Sequence, residues 1–351
     1  MKKHSVFFFL VIALGGLGFA ASDLKIEPIP EPVSNNAVAS LRRHGDLILF
    51  SFVGIGPKKT WDAVSHAAFS YDTDTGKWTS LQPIPGPAGR IAASAAGARD
   101  FVFLFGGYVV DSQGGAMAVP DVGIYQPAHD RWYRGADIPV PVGDAVIGVY
   151  DDRYIYLVGG RSNGEIVRNV QVYDAEKNKW SQATPLVGTP VFGHAGALVG
   201  DTIVYADGAY KNSSGKPPRY LASEECWIGK IGHHDLTKIQ WTKLPAHPGT
   251  AHYRVAAGGS ETDQKIYFAG GTDNPYDYNG VGYDGKPSEP SPTIFDFNLR
   301  GGKWETIGEM DSPTMDHQGL LVTYDNLVVI GGMEKGQQVS AQVAVLPKRG
   351  K

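Results

Sequence analysis

The chain has 351 residues, with 32 lysines and arginines against 36 aspartates and glutamates, which gives a formal net charge of −4. This balance offers no electrostatic basis for binding nucleic acid, so no nucleic-acid partner is expected. A single cysteine, Cys226, excludes an internal disulfide. The 45 glycines and 23 prolines, and the lack of any long segment with helical periodicity, predict a turn-rich, all-β protein.

The amino terminus has the pattern of a secretory signal peptide. Lys2 and Lys3 precede an apolar run at residues 6–17, and small residues at Gly18 and Ala20 follow. We therefore expect cleavage after Ala20 and a mature domain of residues 21–351 that is periplasmic or secreted. No later segment approaches the roughly twenty apolar residues of a membrane span, so no membrane insertion is expected.

One unit, residues 144–180, is repeated along the chain. It contains three β-rich runs at residues 145–150, 154–158 and 170–174, a glycine doublet after the second run, and Trp180 opening a fourth. The doublet permits backbone angles and close approaches that other residues do not. A tryptophan can seal neighbouring sheets. The other doublets or their variants end at Gly54, Gly107, Gly208, Gly271 and Gly332, and the other tryptophans are Trp78, Trp132, Trp241 and Trp304.

Doublet and tryptophan, recurring in this order at a period near fifty residues, resemble the kelch motif. The resemblance implies an all-β fold, a six-bladed kelch-type β-propeller in one domain. The sixth blade lacks a tryptophan and a fourth run before the chain ends. Residues 24–30 resemble the segment after Trp78, including the Pro-Ile-Pro exit. We therefore expect the last blade to be closed by the N-terminal strand, because an unpaired edge invites aggregation.

The loops that follow the glycine doublets share one face, because strands alternate in direction within a blade. We call it the loop face. The longest of these loops, residues 272–293, carries Tyr276, Tyr278 and Tyr283 among several Asp and Asn residues. Aromatic faces with carboxylate or amide groups suit a sugar ring. The alternative is that these residues only pack and cap the loop as a lid.

Polar residues are predicted to ring the channel mouth. Alignment of the repeats places six of them at the first position of successive inner strands: Asn36, Arg90, Asp144, His194, Arg254 and His317. In ligand-binding kelch propellers, arginines at this place line the pocket, which by resemblance selects Arg90 and Arg254. Arginine favours an anionic ligand such as a carboxylate. The alternative is ion pairing between blades, for instance Arg90 with Asp144.

Several catalytic and metal sites are disfavoured. Copper radical oxidases share the kelch propeller, but Cys226 occupies a third-strand position typical of a buried apolar residue. His233 and His234 lie in a turn on the face opposite the long loops. The acids of the 272–293 loop lack calcium-loop spacing. No metal site and no cofactor are predicted.

An enzyme family resembles the whole mature chain. Residues 268–271 with the following Tyr-rich loop, and residues 329–334, are similar to the periplasmic sialic-acid mutarotases (N-acetylneuraminate epimerases). The family's proposed acid/base pair is a glutamate after a blade glycine and a later arginine. The nearest match here is Asp207-Gly208-Ala209 with Arg219, which lacks the glutamate.

Three functions follow from these observations. The first is binding of a carbohydrate-type, possibly acidic, small ligand at the channel mouth. The alternatives are sugar mutarotation, with His194, His317 or Glu334 as acid or base, and a protein-interaction platform. The candidate ligand-binding residues are Arg90, Asp144, His194, Arg219, Arg254, Tyr276, Tyr278 and His317.

Overall fold

The computed structural model describes residues 24–43, 45–86 and 88–348. The predicted signal peptide and its cleavage site lie outside these residues. Within them the protein is all-β, and no helix is long and apolar enough to cross a membrane. The strands form six radially arranged antiparallel sheets, the blades of a β-propeller.

Five blades have four strands each, running in sequence from the innermost to the outermost. Blade 1 is Ala37–Arg43, Asp46–Phe52, Ala68–Asp72 and Lys77–Ser80. Blade 2 is Ser94–Ala98, Phe101–Phe105, Val122–Gln126 and Arg131–Arg134. Blade 3 is Val146–Tyr150, Tyr154–Val158, Val170–Asp174 and Lys179–Ala183. Blade 4 is Ala195–Val199, Thr202–Ala206, Cys226–Ile231 and Ile239–Leu244. Blade 5 is Ala256–Ser260, Lys265–Ala269, Thr293–Asn298 and Lys303–Glu309.

Blade 6 has three strands, Leu321–Val322, Asn326–Ile330 and Val343–Pro347. Four short hairpins decorate the loops between second and third strands: Tyr108–Val110 with Ala116–Ala118, Arg161–Ser162 with Glu165–Ile166, Ala209–Lys211 with Tyr220–Ala222, and Met333–Glu334 with Gln338–Val339. Two short 3-10 helices, Trp61–Ala63 and Lys335–Gln337, lie in the corresponding loops of blades 1 and 6.

The apolar core lies between neighbouring blades, because each sheet buries both faces against the next. Between blades 1 and 2, Phe52 packs edge-on against Trp132 at 5.4 Å between ring centroids. Between blades 2 and 3, Phe105 meets Trp180 at 5.8 Å. The tryptophans therefore seal blade against blade, as the sequence predicted.

Each of these tryptophans also ties two blades together by a hydrogen bond. The indole N–H donates to a backbone carbonyl just beyond the outer strand of the preceding blade or, for Trp78, to a carbonyl of the amino-terminal segment at blade 6. The five bonds are Trp78 to Glu27 (2.8 Å), Trp132 to Gln82 (2.8 Å), Trp180 to Ala136 (2.8 Å), Trp241 to Thr184 (3.4 Å) and Trp304 to Pro245 (2.9 Å).

The amino-terminal segment completes the ring at blade 6, in the predicted register. Glu27 accepts from Trp78 as Gln82 accepts from Trp132, so Pro28-Ile29-Pro30 takes the place of Pro83-Ile84-Pro85. Ile29 is buried against Ile330 of blade 6 and donates its N–H to Ala341 O at 2.8 Å.

The segment does not form the regular strand that the sequence predicted. Residues 24–30 show no strand ladder in the described structure. Pro28, Pro30 and Pro32 lack the N–H groups that a ladder requires, which explains the difference. The edge is covered mainly by packing.

Candidate functional site

The loop-face end of the central channel is built from six equivalent residues with left-handed backbone. Each follows a residue that bridges to the loop after a glycine doublet, and each has φ between 48° and 72°. They are Asn35, Ala92, Asp144, Gly193, Arg254 and Asp316.

Backbone hydrogen bonds link these residues around the channel. Asp144 N–H donates to Ala92 O at 3.0 Å, Gly193 N–H to Asp144 O at 3.3 Å, and Arg254 N–H to Gly193 O at 2.9 Å. Asn35 N–H donates to Asp316 O at 2.9 Å, and its side-chain oxygen accepts from Ala92 N–H. The positions are therefore fixed by the closure of the propeller.

The predicted ring is correct at Asp144 and Arg254 and misregistered elsewhere. Asn36, His194 and His317 each lie one residue beyond the ring position of their blade, and Arg90 lies two residues before Ala92. One or two residues of shift turn the side chain away from the mouth.

The misregistered side chains are bound to groups of their own blade or, for His194, of the preceding blade. His194 Nε2 lies 3.0 Å from Val158 O, and His317 Nε2 lies 3.0 Å from Thr314 Oγ1. Burial lowers the pKa of each imidazole to about 4, so both are neutral at pH 7. Arg90 Nη1 donates to the carbonyls of Gly106 (3.2 Å) and Asp121 (3.4 Å).

Arg254 closes the mouth with two carboxylates. Its Nε and Nη2 donate to Asp144 at 2.8 and 3.1 Å, and its Nη1 donates to Asp316 Oδ1 at 2.9 Å. Asp316 also accepts from Asn35 Nδ2 at 2.6 Å and from the Tyr276 hydroxyl at 3.0 Å. Asp144 therefore pairs with Arg254 across the channel. The alternative of ion pairing between blades describes Arg254, whereas the example pair of Arg90 with Asp144 does not form.

This buried network, which we call the polar seal, spans blades 3, 5 and 6. Arg254 is only 5% exposed, and Asp144 and Asp316 are 2% and 0% exposed. Two carboxylates share one guanidinium, so one negative charge has no cation of its own. Hydrogen bonds from neutral donors stabilise it. The seal lies beside a channel cavity of about 320 Å³ lined largely by small residues of the inner strands.

The long loop of blade 5 covers the seal. Tyr276 is fully buried, with the Arg254 guanidinium 5.5 Å from its ring. Tyr278 reaches the far side of the mouth and packs on the blade 2 hairpin beside Val110 and Ala118. Asp277 and Asp284 accept backbone N–H groups of their own turns. The alternative interpretation, a capped lid, therefore describes Tyr276 and these acids well.

The residues with free binding capacity lie beside the seal, around Tyr220. Arg161 places its guanidinium 5.4 Å from the Phe192 ring and 5.7 Å from the Tyr220 ring. Arg219 lies 5.1 Å from the same Tyr220 ring, and Tyr283 contacts it edge-on at 4.7 Å. We call Arg161, Arg219, Tyr220, Tyr253 and Tyr283 the arginine–tyrosine cluster.

The cluster has donors that the protein does not use. No carboxylate among the described residues pairs with Arg161 or Arg219. Arg161 Nε and the hydroxyls of Tyr220 and Tyr253 are buried without a hydrogen-bond partner in the described part of the chain. Burial raises the pKa of Tyr253 well above its usual value, so this hydroxyl keeps its proton and can donate.

Sequence reasoning found Arg219 and missed Arg161. Arg161 directly follows a glycine doublet, where the other blades have Ile55, Tyr108, Ala209, Thr272 and Met333. The signal available in the sequence was a cationic residue at a repeat position that is mostly apolar in the other blades.

Other predicted features lie where the sequence placed them. Trp61 is on the loop face and 51% exposed. Cys226 is buried in the third strand of blade 4, and burial raises the pKa of its thiol to about 12. His233 is exposed in its turn, with Nε2 3.2 Å from Asp201.

Comparison with known proteins supports the repeat assignment. Residues 148–187, most of blade 3, match the family model described as the kelch motif. This part of the chain carries a kelch motif. A solved structure described as "Structure of YjhT" superposes with a TM-score of 0.72 at 19% identity, covering 92% of this chain and 97% of that one. At this identity the likeness shows the fold alone.

Curated relatives divide into long and equal-length proteins. Kelch-like protein 15 of Gallus gallus is 34% identical over 120 residues, which is 34% of this chain and 24% of that protein. The match thus spans about a quarter of that relative. N-acetylneuraminate epimerase of Salmonella arizonae is 24% identical over 389 residues, covering 97% of this chain and 94% of the relative.

Proposed function

We propose that this protein binds a small acidic sugar on its loop face, with the ligand carboxylate at Arg161 and the sugar ring against the tyrosines of the cluster. The observation that carries the proposal is the state of Arg161. The guanidinium groups of Arg90 and Arg254 are satisfied by carbonyls and carboxylates, whereas Arg161 is half-buried with no acceptor among the described residues.

The cluster fits this ligand class physically. A half-buried guanidinium prefers a carboxylate, which it can bind through two parallel hydrogen bonds in surroundings of reduced dielectric. Tyrosine rings offer flat apolar surface to a sugar, and the unpartnered hydroxyls of Tyr220 and Tyr253 offer hydrogen bonds. Because Arg161 and Tyr283 are only partly buried, the cluster reaches the surface.

Similarity supports the acidic character of the ligand. The equal-length relative is named for N-acetylneuraminate, a sugar that carries a carboxylate. Among the residues predicted from sequence, Arg219 and Tyr278 remain candidates for ligand contact. Asp144, Arg254 and Tyr276 would act by holding the floor of the site.

A thermal-shift screen of acidic and neutral sugars, followed by calorimetry, tests the proposal. Arg161→Ala should weaken binding of an acidic sugar by roughly ten- to a hundredfold, because a charge-assisted hydrogen bond contributes about 1.5–3 kcal/mol. Arg153→Ala is the matched control, since that arginine pairs with Asp174 at 2.8 Å on the opposite face. Equal affinity in wild type and Arg161→Ala would reject the proposed site.

Sugar mutarotation is a second candidate, favoured by the 97% coverage of the epimerase match. The structure gives it weaker local support, because the predicted acid/base residues are engaged elsewhere. His194 Nε2 contacts Val158 O of blade 3, His317 Nε2 contacts Thr314 Oγ1, and Glu334 Oε1 accepts from Ser340. Exchange NMR between the two anomers of a bound acidic sugar distinguishes turnover from binding alone.

A protein-interaction platform is the third candidate. Trp61, Met117 and Val281 are 51%, 61% and 41% exposed, and all three lie in loops of the same face. Exposed apolar loop tips favour contact with another protein. Loss of such a partner on Trp61→Ala, with sugar binding retained, would support this use of the face.

We also propose that the chain is exported after cleavage following Ala20. The support is the amino-terminal pattern of the sequence. Intact-mass measurement of protein from the extracytoplasmic fraction should give a chain beginning at Ala21, whereas a chain that keeps Met1 or Lys2 contradicts export by this route.

A further inference from the structure

A buried cluster of Asp207, His247 and His252 lies between blades 4 and 5, and it shares no residue with the arginine–tyrosine cluster. One ligand-type atom from each residue lies within 4.8 Å of the others. The side chains of both histidines are 2% exposed and that of Asp207 is 0% exposed. Three ionisable groups in an apolar interface need a physical reason.

The position that corresponds to Asp207 holds a glycine or an apolar residue in the other five blades. The first doublet residue is left-handed in every blade, and four blades use glycine, at 106, 159, 270 and 331. Asp207 replaces it at φ 65°, a conformation that is strained for a residue with a side chain.

The two histidines also replace residues of a different chemistry. Each outer-strand tryptophan donates to a backbone carbonyl, and the residue two positions after that carbonyl packs at the blade interface. At the other interfaces this residue is Ile29, Ile84, Ile138 or Leu186, and between blades 4 and 5 it is His247. The backbone N–H of the second doublet residue also donates to a backbone carbonyl. That carbonyl belongs to Arg90, Val142, Thr314 or Val33 in other blades, and to His252 for the doublet of blade 4. Among these interfaces, only the one between blades 4 and 5 combines a carboxylate with two imidazoles.

The hydrogen bonds of His247 require a proton or a metal ion to join its Nε2 to Asp207 Oδ2. Pro248 O can only accept, so His247 Nδ1, 2.9 Å away, carries a proton. In neutral His247 the Nε2 lone pair then faces Asp207 Oδ2 at 2.7 Å, and two acceptors at that distance repel. Either a second proton or a metal ion must lie between them.

A proton satisfies only this one pair. It leaves His252 Nδ1, 3.7 Å from Asp207 Oδ2, and Asp207 Oδ1 buried without a partner among the described residues. A metal ion can bind His247 Nε2, His252 Nδ1 and the Asp207 carboxylate together. The separations of 2.7 and 3.7 Å bracket the roughly 3.4 Å expected between ligands of a tetrahedral site with bonds of about 2.1 Å.

The surroundings match those of metal-binding histidines. Such histidines usually direct the second ring nitrogen to a carbonyl or another oxygen, as His247 does to Pro248 O and His252 Nε2 does to Ser291 Oγ at 3.2 Å. The backbone N–H of His252 donates to Asp207 Oδ2 at 2.8 Å. His247 is further fixed by stacking on Phe295 at 4.4 Å.

We propose that Asp207, His247 and His252 bind one divalent transition-metal ion, with zinc as the best match to two imidazoles and a carboxylate. The three residues supply three protein ligands, and the Asp207 carboxylate can bind through either oxygen. Because the ligands come from blade 4, the crossover and blade 5, the ion clips two blades together. All three ligand side chains are buried between the blades, so the role of the ion is structural.

Metal content and thermal stability test the proposal on the full mature chain. The protein is unfolded, stripped with a chelator and refolded with or without one equivalent of Zn²⁺, and metal is counted by plasma mass spectrometry. We expect one zinc per chain and a rise in melting temperature of roughly 5 °C. Refolding with Co²⁺ should give the visible absorption of a tetrahedral ion.

Two variants sharpen the test. Asp207→Gly with His247→Ile and His252→Val restores the residues of the interface between blades 2 and 3, so it should fold, contain no zinc and show no shift. His252→Val alone is the second variant if the triple change fails to fold, and it should lose the cobalt spectrum. His233→Ala with His234→Ala is the matched control, because these exposed histidines are the obvious adventitious ligands, and it should keep the zinc.

The opposing results are distinct. Wild-type protein that refolds without zinc and gains no stability from it would show that a second proton, not a metal, joins His247 to Asp207. Zinc that persists in the triple variant, or disappears with His233 and His234, would place the ion elsewhere.

Discussion

At the scale of single residues, Arg254 is the side chain on which the channel mouth depends most. Arg254→Ala would leave Asp144 and Asp316 buried without their cation. Removing one partner of a buried ion pair costs about 3–5 kcal/mol. If Arg254 instead faced the ligand, as the sequence predicted, Arg254→Ala should change the free energy of unfolding little. The variant therefore distinguishes a structural role of Arg254 from a ligand-binding role.

Urea unfolding measures the cost. Arg219→Ala is the control, because Arg219 is exposed and makes no ion pair in the described structure, and its effect should stay within about 0.5 kcal/mol. Equal stability of the two variants would show that the polar seal contributes little.

Buried neutral histidines should make the protein sensitive to mild acid. The folded-state pKa values of His194 and His317 are lowered from 6.5 to about 4, so below pH 6.5 the unfolded chain binds more protons than the folded one. Stability therefore falls as the pH drops from 6.5 towards 4, by up to about 3 kcal/mol for each histidine.

His194→Ala tests the assignment, because blades 2 and 3 have Ala93 and Ala145 at this position. Chemical unfolding at several values between pH 7 and pH 4 should give a pH slope reduced by about one proton in the variant. An unchanged slope would mean that His194 titrates normally in the folded protein.

At the scale of elements, the outer-strand tryptophans join the blades. Trp180 donates to Ala136 O and packs on Phe105 and Tyr173. Trp180→Ala should cost about 3 kcal/mol in the free energy of unfolding. Trp61→Ala, at an exposed loop position, should change it by less than about 0.5 kcal/mol. A comparable loss in both would contradict the assignment of Trp61 to a free surface.

The amino-terminal segment should behave as part of blade 6. Ile29 is 2% exposed among residues of blades 6 and 1, so Ile29→Ala should destabilise by about 2–5 kcal/mol. Lys25→Ala is the control, since that side chain is exposed and only its carbonyl is used, by Tyr71. A melting temperature unchanged by Ile29→Ala would show that closure does not depend on this segment.

At the scale of the whole molecule, local repeated signals made the fold predictable. Glycine doublets and tryptophans mark every blade or nearly every blade, and the Pro-Ile-Pro exits at residues 28–30 and 83–85 revealed how the ends meet. Each signal depends on one residue's backbone freedom or on one large side chain, so it survives sequence divergence between the repeats.

The candidate site was less predictable because its contacts join distant residues. Asp144 and Arg254 are 110 positions apart, and nothing local indicates that they meet. The repeat alignment placed Arg90 at the ring position of blade 2, which is held by Ala92 two residues later. Arg161 is the one charged residue among the six that directly follow the glycine doublets. Only the three-dimensional structure shows that its Nε has no hydrogen-bond partner among the described residues.

Calorimetry on a mutant cycle tests the central claim most directly. Wild type and Arg161→Met are each titrated with an acidic sugar and with its uncharged methyl ester. If the carboxylate binds Arg161, the two losses should not add, and the coupling energy should be about 1.5–3 kcal/mol. Losses that add to within about 0.5 kcal/mol, with binding of the acid retained in Arg161→Met, would contradict the account.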